Sequence, residues 1–136
     1  MTTYCFDTDV LSAVLRRDPP MHVVRRLAAT SASQQATTAI TLGELLYGAA
    51  KRGSAPLARR IRGLLAGAVT ILPFDERAAE TYGRLRAELE SRGRPLAEPD
   101  LRIASIALTH DLTLVTGNVR HFARVPDLSV ENWLAG

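Results

Sequence analysis

Short β-prone runs alternate with helical segments along all 136 residues of this chain, and that alternation leaves few ways to fold. Residues 3–6 read as a strand that stops at Asp7-Thr8-Asp9, after which Val10, Leu11, Val14 and Leu15 recur at helical spacing. Pro19 and Pro20 break that helix, and Val23, Val24, Leu27 and Ala28 mark a second. Residues 36–40 read as another strand, and Thr41 opens a helix carrying Leu42, Leu45, Leu46 and Ala49 on one face. Gly53-Ser54 precedes a helix on Leu57, Ile61, Leu64 and Leu65. A third strand at 69–72 stops at Pro73, and Asp75 with Glu76 caps an amphipathic helix reaching about Arg92. Pro95 and Pro99 bound a loop before a helix from Asp100 to about His110, apolar on most sides. A strand at 113–116, a turn at Gly117-Asn118 and a last strand at 128–131 complete the pattern. Parallel strands need crossover connections, so about five strands separated by helices predict an α/β fold with one central parallel sheet covered on both faces. The length fits a single domain over residues 1–136.

A composition of 46% hydrophobic and 23% charged residues supports a real core and excludes a disordered chain. The net charge of +3 is too small to name nucleic acid as a partner. Sixteen of the seventeen basic residues are Arg, the only Lys is Lys51, and Arg suits phosphate through its bidentate fork. The single cysteine, Cys5, forbids an internal disulfide and any multi-cysteine zinc site. No run approaches about 18 apolar residues, so the sequence predicts a cytoplasmic protein with no membrane association.

In open parallel sheets, ligands bind at the carboxyl ends of the strands. The segments just after the strands carry Asp7 and Asp9, then Glu44, then Asp75, then Asn118, while Asp100 opens the apolar helix before the fourth strand. Each has a local explanation. Asp7, Thr8 or Asp9 can cap the first helix, Thr41-Leu42-Gly43-Glu44 matches a capping box, Asp100 suits a first helical turn after Pro99, and Asn118 fits a turn or cap. Together, however, Asp7, Glu44 and Asp100 fall toward one edge of the sheet. Three carboxylates so gathered repel one another unless a cation neutralises them, and a hard divalent metal with oxygen ligands answers that need.

Four segments carry a resemblance: Phe6-Asp7-Thr8-Asp9-Val10-Leu11-Ser12, Ile40 to Gly48 around Glu44, Pro99-Asp100-Leu101-Arg102-Ile103-Ala104, and Leu114-Val115-Thr116-Gly117-Asn118. In that order and spacing the chain resembles a PIN-domain ribonuclease, most of all the VapC toxins of bacterial toxin–antitoxin pairs. The resemblance implies a three-layer α/β/α fold and an Mg²⁺- or Mn²⁺-dependent endoribonuclease. Asp7, Glu44 and Asp100 would hold the metal, and Asn118 would fill the fourth motif position, which is Asp in many relatives. Asp9 stands where the family usually has Asn. Thr8 and Thr116 would orient the acids by hydrogen bonds, and Glu98 is an additional acid of accessory rank. Cleavage would leave a 5′-phosphate and a 3′-hydroxyl and would act on RNA such as tRNA or rRNA, inhibiting translation and growth. His22, His110 and His121 lie outside the four motifs and read as surface or helix-end residues.

Substrate phosphates need counter-charges, for which Arg16, Arg17, Lys51, Arg52 and Arg59 are candidates, with Arg60, Arg62, Arg92 and Arg94 behind them. The resemblance also implies a VapB-like antitoxin, a homodimer, and an apolar groove for the antitoxin on Val10, Leu11, Val14, Leu15 and Met21. Two other readings remain open. Asp7-Thr8-Asp9 mimics the D-x-D of haloacid-dehalogenase-like phosphatases, and receiver domains also use aspartate phosphoryl chemistry, but both need a late lysine that Lys51 does not provide. A non-catalytic RNA-binding domain, with the acids acting only as caps, is the other.

Overall fold

The computed structural model describes residues 1–135. Strands β1 (Tyr4–Phe6), β2 (Gln35–Thr38), β3 (Thr70–Leu72), β4 (Thr113–Val115) and β5 (Ser129–Glu131) form one sheet ordered β3-β2-β1-β4-β5, with every neighbouring pair parallel. Seven helices join them: α1 (Thr8–Val14), α2 (Met21–Ala28), α3 (Ala39–Lys51), α4 (Ala55–Leu65), α5 (Glu76–Ser91), α6 (Glu98–Thr109) and α7 (Val119–Phe122). The expected α/β fold with a five-stranded parallel sheet is what forms.

The pleat explains the three layers. Cys5 lies in register with Leu114, and both join a core with Leu85 and Leu89 of α5, Leu101, Ile103, Ala104 and Ala107 of α6, and Phe122 of α7. The next pair in register, Phe6 and Val115, joins a second core with Val10 and Leu11 of α1, Leu45 and Ala49 of α3, and Ile61 and Leu65 of α4. Successive side chains of a strand point to opposite faces, so each central strand feeds both cores. The C-terminal segment closes the second core. Trp133 is buried edge-on against Tyr4 and Phe6, with ring centroids 5.1 and 5.3 Å away, while Arg26 stacks on it at 4.2 Å and pairs with Glu131.

Several boundaries depart from the sequence reading. The second strand ends at Thr38 rather than at 40, because the Thr38 hydroxyl accepts the Thr41 N–H at 3.0 Å and caps α3. Helix α6 begins at Glu98, with Pro99 in its first turn, where a missing N–H removes no helical bond. A short 3₁₀ turn at Ala32–Gln34 and the four-residue α7 have no counterpart in the sequence pattern. Of the apolar groove residues, Val10 and Leu11 are fully buried in the core, and only Met21 is widely exposed.

The strand order fixes where a ligand belongs. From β1 the chain moves to β2 and β3 on one side, then returns to place β4 and β5 on the other. The crevice outside the carboxyl ends of β1 and β4 is thus the topological switch point of the sheet.

Candidate active site

Asp7 is the first residue beyond β1, held there by its own N–H bonding to the Val115 carbonyl at 2.9 Å. One carboxylate oxygen accepts the Thr8 N–H at 2.7 Å, which makes Asp7 the cap of α1. The other accepts the Thr116 hydroxyl, also at 2.7 Å, across the switch point. The cap and the inward-facing acid are therefore the same residue. Burial pushes the Asp7 carboxyl up to about 6, against the opposing pull of the Thr116 and Thr8 bonds, and the charges of Asp9 and Asp100 add to the rise.

Asp9 is held from β4 as well, with Oδ2 accepting the Gly117 N–H at 2.8 Å. That approach requires a glycine, since a Cβ on residue 117 would stand 2.7 Å from the same oxygen and 3.1 Å from a Leu134 methyl. The other Asp9 oxygen, Oδ1, is buried and has no hydrogen-bond partner.

Glu44 is not the end of a capping box. With α3 capped by Thr38, Glu44 lies inside the helix, and its Oε1 accepts the Thr8 hydroxyl at 2.7 Å. Asp100, in the first turn of α6, is half-buried, and its carboxyl is raised by burial and by Glu44, with Asp9 adding a smaller push against the pull of His121. Asn118 occupies the cap position of α7 without a side-chain capping bond, and its own N–H donates to the Thr116 hydroxyl at 3.0 Å. The residue is exposed. Thr8 and Thr116 are thus the hydroxyls that hold Glu44 and Asp7.

Two sequence assignments change. Glu98 faces a different network: Tyr82 donates to both its oxygens at 2.7 and 2.8 Å, and Arg86 and Arg102 pair with it at 3.2 and 3.3 Å. Those partners hold its carboxyl below the usual range, foremost the Tyr82 hydroxyl, so Glu98 is a surface clasp between α5 and α6 and not an accessory acid. His121, a bystander by sequence, has Nδ1 3.9 Å from Asp100 Oδ2. Sequence hides it because α7, the turn that brings residue 121 back to the acids, leaves almost no periodic signal in four residues. Gly117 reads in sequence only as a turn residue, because its role depends on a contact between distant segments.

Thr8 and Glu44 also border a cleft of about 250 Å³ between α1, α3 and α4. Arg16 and Arg52 line it, with Leu15 and Leu57 among its apolar walls. Arg17, Lys51 and Arg59 are exposed outside that cleft, Lys51 standing 6.0 Å over the Tyr47 ring.

Asp7, Asp9, Glu44 and Asp100 form a set of hard oxygen donors, and the buried, unpartnered Asp9 oxygen is an acceptor still in need of a positive partner. Both features fit a divalent cation such as Mg²⁺ or Mn²⁺. Among the described residues, no three acidic or imidazole groups already close around one point as a finished metal cage.

The PIN domain family matches residues 4–128, which takes in every one of these side chains. The chain belongs to the PIN-domain family. Two relatives of this PIN-domain chain are ribonuclease VapC2 of Rickettsia felis, 31% identical over 96% of this chain and 97% of that protein, and the tRNA(fMet)-specific endonuclease VapC of Salmonella typhimurium, 33% identical over 98% and 99%. Among solved structures, VapBC2 from Rickettsia felis bound to a promoter DNA fragment superposes with a TM-score of 0.87 at 30% identity, covering 97% of this chain and 99% of that one. VapBC from Salmonella typhimurium, also DNA-bound, gives 0.83 at 32% identity over 98% and 99%. The resemblance read in the sequence therefore holds across nearly the whole PIN-domain chain.

Proposed function

We propose that this PIN-domain protein is the toxin of a toxin–antitoxin pair, a cytoplasmic endoribonuclease that hydrolyses RNA phosphodiester bonds and so inhibits translation and growth. One observation carries the reading: Asp7, Asp9 and Asp100 from two helix starts and Glu44 from a helix interior are gathered about the switch point of a parallel sheet, one of their oxygens buried without a partner. Helix capping alone does not account for that arrangement, since Glu44 caps nothing. A phosphatase built on D-x-D finds no lysine in the site, the only one being exposed at the end of α3.

Asp7, Glu44 and Asp100 are the residues that would hold Mg²⁺ or Mn²⁺, with Asp9 beside them. When bound, such an ion lowers the pKa of water and offsets charge on the leaving oxygen of a phosphodiester. The protein's own part is positional. Thr116 and Thr8 fix the rotamers of Asp7 and Glu44, Gly117 fixes Asp9, and the buried floor excludes bulk water from beneath the acids. Arg16 and Arg52 line the cleft that Glu44 borders, where they would receive phosphates of the bound strand. Asn118, exposed at the head of α7, offers an amide where a further carboxylate would add charge.

The names of relatives support two finer statements. A tRNA(fMet)-specific endonuclease among them favours tRNA as the substrate class. Neighbours solved as VapBC complexes favour a VapB-like antitoxin as partner, and the cleft between α1, α3 and α4, part apolar and part arginine, gives it a seat touching Glu44. Homodimerisation is what the same resemblance implies.

The test is cleavage of total RNA with Mg²⁺ or Mn²⁺. Wild-type protein cuts, and EDTA, Asp7→Asn and Asp100→Asn each abolish cutting. Cleavage that persists in EDTA and in both variants would refute the metal-dependent reading. Expression alone should arrest growth, and co-expression of the antitoxin should relieve it.

A further inference from the structure

The arginines divide once their ion pairs are drawn. Arg26, Arg86, Arg92 and Arg102 each hold a carboxylate at 2.8–3.3 Å. Among the described residues, Arg94, Arg120 and Arg124 hold none, and all three line one open cleft of about 420 Å³ between the α5–α6 connection and α7.

Both walls of this cleft are fixed. Gly93, at φ 66°, turns the chain after α5, and the Arg94 N–H bonds back to the Leu89 carbonyl at 2.8 Å. The Arg124 guanidinium donates to the Pro95 carbonyl at 3.0 Å, tying α7 to the same connection. Arg94 and Arg120 keep exposed side chains. Three guanidinium groups around one concavity, with no carboxylate of the chain among them, repel one another until an anion enters. Their forked donors suit the paired oxygens of a phosphate.

The cleft shares α7 with a residue that faces the acids. His121, next in sequence to Arg120, lies 3.9 Å from Asp100. The Arg16 and Arg52 cleft meets the same acids through Thr8 and Glu44. We propose that Arg94, Arg120 and Arg124 form a second phosphate-binding site, which takes a phosphodiester of the RNA backbone away from the scissile one. The strand then crosses the acids with an arginine-lined cleft at each approach. This rests on the ribonuclease reading above, and its test separates the two.

Binding is measured on the full chain carrying Asp100→Asn, which removes cleavage, with fluorescein-labelled bulk tRNA followed by anisotropy over roughly 50 to 200 mM salt. Adding Arg94→Gln and Arg120→Gln should weaken binding about tenfold at low salt and lower the slope of log K against log salt by about 0.7 to 0.9 for each phosphate no longer neutralised. Thermal midpoints should match the parent, and Arg120→Lys should keep most of the slope. The proposal is overturned if affinity and slope equal the parent's, or if Arg25→Gln with Arg84→Gln, removing the same charge elsewhere, reproduces the loss. It is also overturned if the slope is unchanged while poly-glutamate binds the cleft, which would assign it to an acidic protein partner. Should the unmodified chain cut no RNA, the ribonuclease reading fails, and the salt slope still judges the cleft.

Discussion

Asp7 carries two roles that pull against each other. As a cap it joins β1 to α1, and as a buried acid beside Asp9 and Asp100 it resists ionisation, its carboxyl raised from 3.8 to about 6. Below both values it is neutral folded or unfolded and has no effect on stability. As pH rises between them the unfolded chain ionises first, so stability falls and stays lower above 6, by on the order of 3 kcal/mol. In EDTA at neutral pH, Asp7→Asn should therefore raise the thermal midpoint, with the gain vanishing below about pH 4, and with Mg²⁺ present the same variant should no longer cleave RNA. An amide in place of the acid retains an acceptor for the Thr8 N–H. Gly117→Ala tests the opposite dependence. Its methyl would displace the Asp9 carboxylate, so cleavage should fall roughly tenfold or more while melting shifts by about 1 kcal/mol or less. Equal cleavage by the Ala variant would show that the position of Asp9 is immaterial. Cys5 gives a check on the core. Burial pushes its thiol up to about 12, so a thiol reagent at pH 8 should label no native protein and should label one site per chain after unfolding.

Among the elements, α3 has its start set by a hydroxyl. Moving its cap from Thr41 to Thr38 turns Glu44 from a terminal residue into one facing Thr8. Thr38→Val keeps the shape and removes the cap, which should destabilise by about 1 to 2 kcal/mol in urea unfolding and also lower cleavage, because α3 carries Glu44. The strands and most helices are legible because period-2 and helical patterns survive in short runs, and the order of acids at strand ends is legible because it is a property of sequence alone. Thr41-x-x-Glu44 misleads because Thr38 and Thr41 both suit a cap, and only tertiary packing chooses between them. Glu98 misleads because its partners, Tyr82 and Arg86, sit one helix away. The link of His121 to Asp100 passes through α7, whose four residues are too few to carry a period.

Across the whole molecule, the two cores lock the sheet while the acids collect where the strand order reverses. One arginine-lined cleft touches Glu44 there and a second opens beside α7, so RNA affinity should fall steeply with salt even though the net charge is only +3. A binding constant that is flat in salt would argue against phosphate contacts as the main source of affinity. The sheet order has one further consequence, in time. β4 lies next to the central strand yet is the fourth strand made, and it brings the Thr116 hydroxyl and Gly117 N–H that orient Asp7 and Asp9. A chain emerging from the ribosome therefore has its first acids almost at once, but lacks the strand that aims them until nearly all of it has been synthesised. Truncated products ending before residue 113 should be harmless to the cell that makes them.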